Sequence, residues 1–128
     1  MKIEHLAYQA EDPTAVAKWY VAHLGCIIKR SAGAPGYQHF LADSTGCVMV
    51  EIYNHPRLVT PDYRLMDSLL LHIAFCSDDP WADRDKLVSA GASIEDDLET
   101  TPAGDVLVML RDPWGFPIQL VRRGKPML

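Results

Sequence analysis

Cysteine is scarce in this chain, and what there is does not pair. Three cysteines in 128 residues are too few and odd in number for a disulfide framework, and none forms a CxxC metal motif. Cys26, Cys47 and Cys76 lie in apolar, strand-like runs, which predicts buried, reduced thiols. Long apolar runs are also missing: none approaches the roughly 20 residues needed to span a bilayer. The start, MKIEHLAYQAED, meets acidic residues too early for a secretory signal, so a cytoplasmic location is expected. Basic stripes are absent as well. With a net charge of -5 and only Arg122, Arg123 and Lys125 clustered at the tail, neither nucleic acid nor a membrane surface is an expected partner. An apolar fraction of 48% beside 23% charged residues is ordinary for a globular protein, and 128 residues suit one domain.

What is present is a repeat. IEHLAYQAEDPT (residues 3–14) and LLHIAFCSDDPW (residues 70–81) both interrupt an apolar run with one histidine, then place an acidic pair before a proline. His72 follows His5 by the same interval that separates Pro80 from Pro13, and Leu6, Ala7 and Tyr8 align with Ile73, Ala74 and Phe75. Asp12 and Asp79 are helix N-caps by type, and the prolines suit the first helical position. The first helix has Val16, Trp19, Tyr20 and Leu24 on one face. The second has Trp81, Arg84, Leu87 and Val88, and the helices are expected to end at Gly25 and Gly91. Three strand-like runs follow each helix: residues 26–31, 37–42 and 47–53, then 92–97, 105–111 and 116–122. The turns DSTG and DPWG before the last strands also match.

The predicted unit is therefore β-α-β-β-β, present twice, and the fold class is α+β. Module one is residues 1–54, a Pro-rich linker covers 55–67, module two is 68–123 and a tail covers 124–128. One helix covers only one face of a sheet, so each module is expected to need the other for its second face.

Strand alternation assigns the polar residues. His5 shares a face with Ile3 and Ala7, and His72 shares one with Leu70 and Ala74. Glu51 lies mid-strand in CVMVEIY with Met49 and Tyr53 on its face, and Gln119 lies inside FPIQLV. Taken singly, a strand histidine is more often a hydrogen-bonded core residue than a ligand. Their recurrence at matched places favours a shared role. Two imidazoles and a carboxylate can hold Zn2+, Ni2+, Co2+, Mn2+ or Fe2+ with positions left open for water or substrate. His39, in YQHFLA, is a further candidate lining residue; His55, Arg57 and Arg64 in the linker could meet an anionic group.

With HLAYQAEDP and HIAFCSDDP each opening a module, and RDPWGFPIQLV closing the second, the chain resembles the vicinal oxygen chelate superfamily, which groups glyoxalases, bleomycin-resistance proteins and extradiol dioxygenases. The resemblance spans residues 1–123. It implies a cup-shaped mixed β-sheet with the helices outside, a homodimer, and metal positions on the first and fourth strand of each module. These fall on His5, Glu51, His72 and Gln119. The last departs from the glutamate usual there, and an amide cannot act as a general base. Glu51 is then the single candidate catalytic carboxylate, with Met49, Tyr53 and His39 as substrate-binding candidates. A divalent ion among two imidazoles, one carboxylate and one amide keeps one positive charge in excess, which favours an anionic oxygen ligand. The leading expectation is a metal-dependent lyase or isomerase acting on a small substrate chelated through vicinal oxygens. The alternatives are a metal-independent ligand-sequestering protein and, less favoured, a non-haem iron dioxygenase, whose carboxylate usually sits where this chain has Gln119.

Overall fold

The structure is a computed structural model that describes residues 1–127. It divides into two compact units, Met1–Pro61 and Asp62–Leu128. The first contains β1 (His5–Gln9), α1 (Pro13–Leu24), β2 (Ile27–Ser31), β3 (His39–Ala42) and β4 (Met49–Tyr53). The second opens with a 3-10 turn at Tyr63–Leu65, followed by β5 (Ile73–Cys76), α2 (Pro80–Ser89), β6 (Ser93–Thr100), β7 (Val106–Arg111) and β8 (Pro117–Arg122). Each unit has its own four-stranded mixed sheet, ordered β1-β4-β3-β2 and β5-β8-β7-β6. In both, the first strand pairs in parallel with the last and the other pairs are antiparallel. The repeated β-α-β-β-β unit is thus observed.

The helix starts follow from their caps. Asp12 accepts a hydrogen bond from the Ala15 amide at 2.9 Å, Asp79 accepts from Ala82 at 3.1 Å, and each is followed by proline. α1 ends at Gly25, whose φ of 69° is left-handed as that closing turn requires. α2 stops one residue earlier than the sequence suggests, at Ala90, and Gly91 then takes the positive φ of 101°.

α1 lies against β3 and β4, burying Val16, Ala17, Trp19 and Tyr20. Leu41 and Ile52 are fully buried at alternate positions of those strands. In the second unit α2 packs on β6, β7 and β8, and the core is Leu87, Val108, Leu110, Phe116 and Ile118. The predicted stripe of α2 holds only in part. Leu87 is buried, but Trp81 and Val88 are exposed, and the Arg122 guanidinium lies 5.0 Å above the Trp81 ring. The turn at Asp43 is pinned by its own carboxylate, which accepts from the Thr45 amide and hydroxyl. At the matching turn, Asp112 accepts from Trp114 and Phe116.

The cysteines correct the sequence reading: only Cys26 is buried, whereas Cys47 and Cys76 are exposed. The run around Cys47 is strand-like, but β4 begins two residues later, so the thiol falls in the turn. Burial, with the Asp43 carboxylate adding to it, pushes the Cys26 thiol up from 9.0 to about 11. Iodoacetamide at about pH 8 is therefore expected to label Cys47 and Cys76 while sparing Cys26 until the chain is unfolded. Peptide mass mapping checks this, and early labelling of Cys26 would contradict its burial.

Candidate functional site

The site begins with sheet register. In the first unit Ala7 pairs with Glu51 and Phe40 pairs with Glu51 from the other side; in the second, Ala74 pairs with Gln119. The repeat therefore extends to the pairing of individual residues. Residues in register share a face, as do alternate residues along a strand. Consequently His5, Ala7, Met49, Glu51, Tyr53 and Phe40 lie on one face of the first sheet, opposite the face carrying Leu41 and Ile52.

Two of the predicted ligands meet there. His5 Nε2 lies 3.5 Å from Glu51 Oε2, and His5 Nδ1 lies 2.7 Å from Glu4 Oε2. An ionised carboxylate can only accept, so Nδ1 donates to Glu4 and Nε2 is the ring nitrogen turned towards Glu51. Two atoms each about 2.1 Å from a shared ion at a tetrahedral angle stand roughly 3.4 Å apart, which is close to what this pair shows. In the second unit His72 immediately precedes β5, and its Nδ1 donates to the Ser68 carbonyl oxygen at 3.0 Å. Its Nε2 is likewise the ring nitrogen not used in that hydrogen bond. Holding Nδ1 so that Nε2 is presented is a common arrangement for metal-ligating histidine. Gln119 is half-buried in β8, opposite Ala74 and Met109. Among the described residues, no group of three or more His, Cys, Asp and Glu side chains is placed to hold a metal ion.

The same face of the first sheet carries a cavity of about 340 Å³ lined by Arg30, Ser31, Ala32, Gln38, Phe40 and Glu51. The Phe40 ring stands edge-on to His5, with centroids 5.6 Å apart, so aromatic surface adjoins the polar pair. Met49 and Tyr53 share the Glu51 face and are half-buried, but they are not among the residues lining this cavity. His39 is elsewhere. It pairs with Ile52, is only 8% exposed, and its Nδ1 donates to the Tyr37 carbonyl oxygen at 2.7 Å, all on the opposite face from Glu51. In the linker, the His55 amide donates to Gln9 Oε1 and its Nδ1 accepts from the Arg57 amide. Arg64 donates to the Pro113 carbonyl oxygen. Those two side chains therefore hold loops.

Arg30 is the cavity residue that alternation did not single out. The visible signal is the pair Lys29–Arg30 inside CIIKRS, two consecutive cations in a strand that should bury every second side chain.

A sequence model of the Glyoxalase/Bleomycin resistance protein/Dioxygenase superfamily matches residues 2–120. The chain belongs to this superfamily. Three solved structures resemble this superfamily member in fold. SMU.1112c has 24% identity, a TM-score of 0.75, and coverage of 95% of this chain and 98% of its own. TnmS3, an antibiotic-binding protein from Streptomyces sp. CB03234, has 19% identity, a TM-score of 0.76 and 97% coverage of both chains. Glyoxalase I from Zea mays has 21% identity and a TM-score of 0.76; 97% of this chain is covered but only 45% of the maize enzyme. No curated protein matches the sequence. Among the described residues of this superfamily member, no helix is long and apolar enough to cross a membrane.

Proposed function

We propose that the protein is a divalent-metal-dependent, glyoxalase-like enzyme of lyase or isomerase type, acting on a small substrate with neighbouring oxygens. The observation that carries this reading is the His5 Nε2–Glu51 Oε2 pair, 3.5 Å apart, with the other ring nitrogen of His5 held by Glu4. His5 and Glu51 are ligands of one ion (Zn2+, Ni2+, Co2+, Mn2+ or Fe2+), and His72 and Gln119, of this chain or of a second copy, complete the set. When bound, the ion polarises the substrate oxygens and stabilises charge developing on them. Glu51 accepts the proton next to the substrate carbonyl, a role Gln119 cannot take. Glu4 fixes the His5 ring through Nδ1, while Met49 and Tyr53 border Glu51 on its face. The protein works as a cytoplasmic homodimer.

A second reading is a ligand-sequestering protein that needs no metal. It is favoured by the neutral Gln119 and by the lack, among the described residues, of three grouped ligand side chains. Elemental analysis of protein purified without tags or chelators decides between them. Near-stoichiometric metal in the parent, lost in a His5→Ala/His72→Ala double variant, is the expected result. Absence of metal from both, even after reconstitution with each of the five ions, would leave the sequestering reading.

A further inference from the structure

Strict alternation along β2 would place Arg30 on the face of Ile28, which pairs with Leu41 on the helix-covered side. The structure breaks that alternation. The pairing runs Ile27 to Ala42, Ile28 to Leu41, then Arg30 to Phe40, so Lys29 and Arg30 together oppose one residue. This is a β-bulge, a device that re-aims a side chain and often adjoins a functional site. Its effect is to turn Arg30 onto the face of Phe40 and Glu51. Across the sheet the paired residues then read Arg30, Phe40, Glu51, Ala7 in one transverse row.

The second unit repeats the irregularity. Ile94 pairs with Leu110 and Asp96 with Met109, so Glu95 is the extra residue, and the row there reads Asp96, Met109, Gln119, Ala74. Arg30 and Asp96 are thus equivalent positions of opposite charge, and in each sheet a bulge turns one charge towards the face away from its helix. In the first unit that charge lines the cavity. No carboxylate among the described residues lies within ion-pair distance of Arg30. Arg111 is the contrast, since all its donors are engaged within the protein.

We infer that Arg30 is the specificity-determining residue of this cavity and that its ligand is a small organic oxyanion, with a carboxylate or phosphonate held by the guanidinium fork. The inference rests on the reading of this face as a small-molecule site, and holds for either an enzyme or a sequestering protein. Two strand spacings put the Arg30 and Glu51 backbones roughly 10 Å apart. A ligand of about one ring fits between them. Its anionic group meets Arg30, its flat body covers Phe40, and its far end reaches His5 and Glu51. A cavity of about 340 Å³ lies at the small end of ligand sites. Arginine suits this task because its planar donors bind an oxyanion in bidentate fashion, and lysine does not reproduce that geometry.

The test measures binding of benzoate, phenylphosphonate and neutral benzamide to the full chain by titration calorimetry, for the parent, Arg30→Gln and Lys29→Gln. At least one anion is expected to bind the parent more tightly than benzamide, and the tighter of the two identifies the oxyanion. Arg30→Gln should weaken that anion by about tenfold or more, with benzamide little altered and Lys29→Gln within about twofold of the parent. Anion affinity unchanged in Arg30→Gln, equal loss in Lys29→Gln, or no preference of the parent for an anion over benzamide would each overturn the inference. Elemental analysis of Arg30→Gln separates the two claims. Metal at parental level with unchanged anion binding sinks this inference alone, whereas metal-free protein showing the Arg30 effect sinks only the metal reading.

Discussion

Arg111→Ala is expected to lower the stability of the protein by about 3 kcal/mol and its Tm by roughly 10 °C. Arg111 ends β7, and its side chain is only 12% exposed. Its Nη1 donates to the carbonyl oxygens of Tyr63 and Gly115 at 2.5 and 3.0 Å, and its Nη2 donates to Met66 at 2.8 Å. The remaining donors go to Glu95, through Nη2 at 2.8 Å and through Nε. Every N–H of the guanidinium is therefore used, and two backbone carbonyls of the segment leading into the second sheet and one of the β7–β8 turn depend on it. Truncation leaves those acceptors and the Glu95 carboxylate without their donor, and that uncompensated burial is the larger part of the loss. Arg111→Lys should recover only part of it, since an ammonium cannot reach four acceptors in one plane. Adding Glu95→Gln to Arg111→Ala should be less damaging than the sum of the two single changes, because it removes the stranded charge. Chemical denaturation of the parent and the four variants measures this. A change below about 0.5 kcal/mol in Arg111→Ala would mean that the clamp contributes little.

Arg111 also shows where sequence reading stops. The helix starts were legible because Asp12-Pro13 and Asp79-Pro80 carry their own caps, and such signals act within one turn of chain. The order of elements followed from the repeat, and the faces of His5 and Glu51 from period-two alternation along β1 and β4; the parallel pairing of first and last strands came from the structure. Alternation fails wherever a bulge intervenes, and both second strands contain one. Arg30 was overlooked for that reason, and the bulge at Glu95 likewise delivers its carboxylate to Arg111. His39 was drawn towards the site by its chemistry, yet its register with Ile52 puts it under the helix, where Nδ1 is satisfied by the Tyr37 carbonyl. Trp81 and Val88 were assigned to the core by helical spacing, but α2 has few apolar residues, and Leu87 alone of that stripe is fully buried. The cysteines failed at strand ends: Cys47 belongs to an apolar run by composition and to a turn by hydrogen bonding, its amide donating to Thr45. Composition gives the kind of element. The residue at which it starts depends on partners far away in sequence.

Glu51→Gln is expected to move stability and metal affinity in opposite directions. In the metal-free protein with His5 neutral, Nδ1 donates to Glu4 and the ring offers Glu51 Oε2 a lone pair on Nε2 at 3.5 Å. That contact joins two acceptors beside a half-buried ring and brings no hydrogen bond. A glutamine presents an N–H at the same place, can donate to Nε2, and should raise metal-free stability by about 1 kcal/mol. The same change removes the only carboxylate of the proposed ligand set, leaving a divalent ion among neutral donors. Metal affinity should fall by at least about 100-fold, and proton abstraction by about 100-fold to 10,000-fold. Gln119→Glu makes the reverse change, restoring charge balance around the ion and tightening metal binding. Competition against a chromophoric chelator and thermal melts in excess chelator supply the two readouts. A Glu51→Gln protein that loses both stability and metal affinity would show that His5 is protonated and ion-paired with Glu51. A Glu51→Gln protein with gained stability and lost metal marks Glu51 as a residue held in an unfavourable place for the sake of its ligand, which is how a functional carboxylate differs from a structural one.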